Sequence, residues 1–146
     1  MEQNEKAAKD YFAEEKNVMS PELARKEVDN WLDIKGVKDR RIKENEDTVD
    51  TLCEAVEDGD LYFRDGKLVQ KLNQPIGNEG VIKELTYENR IKLSEVRNRL
   101  KGVKSTDLDG RMLAYVGSAV NKPIKMLENI DTADWSLAQS IVVFFM

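Results

Sequence analysis

The feature that most restricts this fold is a local one. Two runs rich in strand-forming residues, Leu61-Tyr62-Phe63-Arg64 and Lys67-Leu68-Val69-Gln70-Lys71-Leu72, flank the pair Asp65-Gly66. A type I′ turn needs positive φ at both central residues, and Asp-Gly is among the pairs that supply it at low steric cost. The spacing therefore predicts a two-stranded β-hairpin over about 60–72. A lone ribbon is marginal in water, so Leu61, Phe63, Leu68 or Leu72 must pack on helices or pair with another chain, a route to self-association.

Around the hairpin, apolar residues recur at helical spacing. Glu5 to Lys16 reads as a short amphipathic helix carrying Ala8, Tyr11 and Phe12. A second helix starts at Ser20, a good N-cap, with Pro21 at the first helical position and Glu22 favoured by the helix dipole. Its stripe is Leu23, Ala24, Val28, Trp31 and Leu32, and Gly36 stops it. A third helix is expected from about Asp39 to Glu57, unless the polar stretch 43–47 divides it into two.

After a loop at 73–80, Val81, Ile82 and Leu85 suggest a short extended segment. Thr86 then reads as the cap of a helix reaching about Lys101, with Tyr87, Ile91, Leu93, Val96 and Leu100 as its apolar positions. Three further helices follow: one opened by Asp107 or Asp109, a short one at Pro123, and one capped by Asp131 and Thr132 that runs to the end. The expected class is mainly α, of α+β type: a helical bundle with one hairpin. Residues 1–36 form an N-terminal helical arm and 37–146 a single helical domain, together one compact unit.

The missing residue types narrow the function. There is no histidine, which excludes histidine-based triads and metal sites. The one cysteine, Cys53, sits among apolar neighbours as a buried thiol and can form no internal disulfide. Neither phosphate-binding glycine pattern occurs. Calcium loops started at Asp58 or Asp107 would need a carboxylate at their twelfth position, where Val69 and Ser118 stand. Asp47 and Asp50 lie one helical turn apart, a pairing that a chain with 35% charged residues shows by chance. No cofactor, metal or catalytic residue is expected, and a non-enzymatic role is.

Charge and hydropathy are unevenly spread. Residues 1–60 carry 18 acidic against 10 basic side chains, and 61–146 carry 10 against 13. Arg90, Arg97, Arg99, Lys101 and Lys104 form the one basic stretch suited to nucleic acid, which is the alternative reading of function. No aromatic residue interleaves with it, and the net charge is −5, so a solvated face is favoured. The run 140–146 is far short of the ~20 residues that span a bilayer, and the charged start does not read as a signal peptide, so a cytoplasmic location is expected. The apolar end is either clamped inside the bundle or meets a partner. Trp135, Ile141, Val142, Phe144 and Phe145 are its candidate partner-binding residues.

Three passages resemble the tail assembly chaperones of long-tailed bacteriophages and prophages. They are the helix leading into the hairpin, Ala55 to Leu72; the step Leu72-Asn73-Gln74-Pro75-Ile76 leading to Leu85-Thr86 and a basic helix; and the end, Met112 to Val120, Pro123 to Leu127, and Leu127 to Trp135 before an apolar helix. The resemblance covers roughly residues 50–146. It implies a bacterial cytosolic protein that binds the helical, apolar tape-measure protein and recruits tail-tube subunits.

Overall fold

The computed structural model describes residues 19–146, so the helix expected at 5–16 lies outside the described residues. Helix α1 spans Pro21–Lys35 and begins as expected: the Ser20 hydroxyl accepts a hydrogen bond from the Leu23 amide, and Gly36, at φ 78°, ends it. It buries Ala24, Val28, Trp31 and Leu32 in the same core as the rest of the domain.

The polar stretch at 43–47 does divide the next segment. Helix α2 (Asp39–Glu44) and helix α3 (Glu46–Asp58) meet at Asn45, whose backbone leaves the helical region and whose side-chain amide donates to the Arg41 carbonyl. Helix α3 packs along α1, and the Met19 amide bonds the Glu57 carbonyl, tying the start of one helix to the end of the other.

The hairpin forms where expected, with β1 at Leu61–Arg64, β2 at Lys67–Ile76, and Asp65 and Gly66 both at positive φ. It is not two-stranded. A third strand, β3 (Ile82–Tyr87), pairs antiparallel with β2 to give the order β1-β2-β3. The helix expected from Thr86 is therefore corrected: helix α4 is only Leu93–Leu100. Leu85 and Tyr87 are two residues apart and both fully buried, while Glu84, Thr86 and Glu88 between and beside them are not. That is a period of two, and Leu68 and Gln70 of β2 stand opposite to receive it.

The remaining elements are helices α5 (Leu108–Val120), α6 (Ile124–Leu127) and α7 (Thr132–Val142), followed by a 3₁₀ turn at Val143–Phe145. Asp107 caps α5 and Asp131 caps α7 through their carboxylates. Helices α3, α5 and α7 lie over one face of the sheet, and Leu61, Leu68, Leu85 and Tyr87 from that face meet them in the core. The other face is covered by its own side chains: Tyr62 donates to Glu84, Arg64 bonds both, and Val69 beneath them is fully buried.

One polar contact joins the helical layer to the sheet. Strand β2 is irregular between Lys71 and Ile76, so the amides of Asn73 and Gln74 lack a ladder partner. The buried Asp134 carboxylate of α7 accepts both, at 2.9 and 3.1 Å. Next comes Pro75, which has no amide proton to satisfy. Gln70 completes the join: its amide donates to the Asp134 carbonyl at 2.8 Å, and its oxygen accepts from the Tyr87 hydroxyl at 2.7 Å. Asp134→Ala would leave two inward-facing amides unpaired and should lower unfolding free energy by about 3 kcal/mol, read as a fall in the urea midpoint.

Candidate functional site

The apolar end folds into the domain instead of forming a surface. Ile141 and Val142 are fully buried and Phe144 is 4% exposed. The chain tightens into its 3₁₀ turn at Val143, which lets both phenylalanines find walls. Phe144 meets Trp31 edge to face at 6.4 Å, and Phe145 lies between Trp31 and Tyr87 at 6.3 and 6.2 Å. Arg41 closes the end by donating to the carbonyls of Val143 and Met146. Of the five residues expected to bind a partner, Ile141, Val142 and Phe144 belong to the core, and only Trp135 and Phe145 are partly accessible. The correction has a plain cause: α1 and β3 supply a second apolar wall that the periodicity of the last helix alone cannot reveal.

Lys35 covers this cluster. Its ammonium sits 3.4 Å from the Phe145 ring centre and donates to the Asn89 carbonyl at 2.9 Å. Burial, and then the neighbouring charges of Arg90 and Arg41, lower its pKa from 10.5 to about 8. The amine faces a ring and a carbonyl, so it acts as a clamp on the end of the chain.

The basic stretch is only partly a face. Arg90, Arg97, Lys101 and Lys104 are exposed, but Arg99 turns inward to the Lys122 carbonyl and the Ser118 hydroxyl and lies against Gly117. Arg99 thus holds α4 to α5 and is withdrawn from the nucleic-acid set.

An open groove of about 600 Å³ has a lining more apolar than polar. One wall is Pro75, Ile76, Gly77 and Asn78, where β2 leaves the sheet; the other is Pro123, Lys125, Met126 and Asn129, on and beside α6. The sequence passages 72–76 and 123–127, 47 residues or more apart, are here brought face to face. Gly77, at φ 84°, makes the turn beneath, and Val81 projects nearby with 67% of its surface exposed. Ile76 is buried at the base, and Asn78, Lys125 and Asn129 make a polar rim. Such a groove can take the apolar side chains of an amphipathic helix while the rim bonds its polar flank. In the sequence the first wall reads as a loop and the second as the start of a short helix, and no local pattern marks either as a binding surface.

Phe144→Ala should cost about 3–5 kcal/mol of stability in urea unfolding, as expected of a core ring, and Phe145→Ala clearly less. For Lys35 the sign follows from proton counts: between about pH 8 and 10.5 the unfolded chain holds the proton that the folded chain has lost, so stability from this group rises with pH. Urea midpoints of wild type and Lys35→Met measured from pH 8 to 10 should therefore shift in favour of wild type. No protein-family model, curated protein or solved structure matches this chain.

Proposed function

We propose that this protein is a tail assembly chaperone of a long-tailed phage or prophage, acting without catalysis in the bacterial cytosol. It would hold helical, apolar segments of the tape-measure protein and bring tail-tube subunits to them. The observation that carries this reading is the groove. Two of the three passages that resemble the chaperone family, the Pro75 step and the Pro123 helix, line its two walls. A partner-binding surface is where a family of binding proteins would keep its residue pattern, and these passages set exposed Pro75 and Pro123 on the groove while Leu72 and Leu127 anchor them in the core.

The groove also has suitable chemistry. Its apolar floor and neutral or cationic rim suit a helix that is apolar on one face, the form a tape-measure segment presents. Helical knobs of Leu or Met would enter between Ile76 and Met126, and the exposed Val81 would extend the contact beyond the groove.

The test is capture of tape-measure segments encoded by the same phage or prophage, measured by co-purification and calorimetry. Met126→Glu places a charge in the groove from a partly exposed position. It should weaken binding by about tenfold or more while moving the melting temperature little. Wild-type protein that captures no such segment would refute the chaperone reading, and unchanged binding by Met126→Glu would refute the groove as its site.

A further inference from the structure

The uneven charge of the chain becomes two opposed surfaces once folded. Helix α3 carries six carboxylates and no basic residue. Asp47, Asp50, Glu54 and Asp58, spaced by three or four residues, form one exposed stripe about 16 Å long. Arg25 of α1 reaches Glu46 and Asp50 at 3.5 and 3.9 Å, and no other ion pair to α3 occurs among the described residues. Helix α4 and the loop after it are the reverse. Arg97, Lys101 and Lys104 are exposed with no ion pair among the described residues, and Leu93 and Leu108, each 71% exposed, stand at either end.

These stripes do not neutralise each other within one chain. Helix α3 packs on α1, α7 and β1, whereas α4 packs on α5. We infer that copies of this chain associate head to tail, the basic stripe of α4 docking on the acidic stripe of α3 in the next copy. The occupant is chosen by complementarity: the stripes are opposite in sign, and among the described residues Arg25 is the one ion-pair partner of the acidic stripe while the basic one has none. A polyanion is the poorer fit, because α4 and its loop offer no aromatic side chain for stacking and the acidic chain as a whole repels phosphate. A contact between two different patches does not close on itself as a twofold dimer does, so it builds a ring or an open chain. Exposed ion pairs are individually weak, which makes the association weak and sensitive to salt.

Sedimentation of the whole chain alone tests this, and it leaves the groove reading untouched if it fails. In about 20 mM salt the weight-average mass should rise with concentration to twice the monomer or more, and at about 500 mM it should return to the monomer. Arg97→Glu/Lys101→Glu and Asp47→Lys/Glu54→Lys should each stay monomeric in low salt. An equal mixture of the two should associate, since the reversed faces again oppose. That rescue could not come from misfolded protein. Wild type that stays monomeric in low salt, association that survives Arg97→Glu/Lys101→Glu, or a mixture that stays monomeric would overturn the proposal. So would binding of a single- or double-stranded oligonucleotide at near-physiological salt that Arg97→Glu/Lys101→Glu abolishes while the protein remains monomeric.

Discussion

The Asp134 carboxylate is the contact on which the layering of this domain depends. A strand that breaks its ladder exposes backbone donors, and burying them unpaired is expensive. Strand β2 breaks after Lys71, at the very place where α7 crosses it. Asp134 takes the freed amides of Asn73 and Gln74, Pro75 has none to offer, and Ile76 resumes pairing opposite Ile82. The Asn73 and Gln74 donors within the irregularity are thereby accounted for. Because Asp134 lies in the first turn of α7, its charge is also favoured by the positive end of that helix. The same residue fixes the helix position from its backbone carbonyl, which holds Gln70 and, through it, the Tyr87 hydroxyl.

The closing of the chain's end follows from that placement. With α7 held on β2, the residues after Val142 fall between α1 and β3, where Trp31 and Tyr87 offer ring faces. An α-helix continued through 146 would turn some of its apolar side chains to water. The 3₁₀ turn avoids this by directing Phe144 and Phe145 into two adjoining slots. Burial is worth roughly 25 cal/mol per Å² of apolar surface, so two aromatic rings recover far more than the poorer geometry of a short 3₁₀ turn gives up. Lys35 can stay over Phe145 despite a lowered pKa because the ring face and the Asn89 carbonyl replace the water it loses.

What was legible in the sequence were features decided within a few residues. Ser20-Pro21, Asp107, Asp131, Gly36 and Asp65-Gly66 act on the backbone next to them, and each sits where its local chemistry predicts. The break at Asn45 belongs with these. What was not legible depended on partners distant in the chain. Tyr87 fits either a helix starting at Thr86 or a strand ending at Tyr87, and only Leu68 opposite, 19 residues earlier, decides between them. Phe144 is a surface residue or a core residue according to whether Trp31 faces it. The candidate groove needed residues 75 and 126 in one place, information that resides in the Asp134 join and in no local pattern.

The groove draws its form from the same constraints. Helix α6 has four residues, too few to persist unaided. It holds because Pro123 enters with its φ already set, Leu127 is buried in the core, and α5 packs against it. The opposite wall leaves the sheet at a proline whose position the Asp134 clamp determines. Neither wall has to be ordered when a ligand arrives, so little of the contact energy is spent on arranging the protein. Under the proposed function, a preformed apolar groove and the charged outer faces of α3 and α4 would separate two tasks by physical type: capture of an apolar helix through shape and burial, and association between copies through charge that salt can tune. The first would respond little to ionic strength and the second strongly, so the two surfaces could be engaged independently.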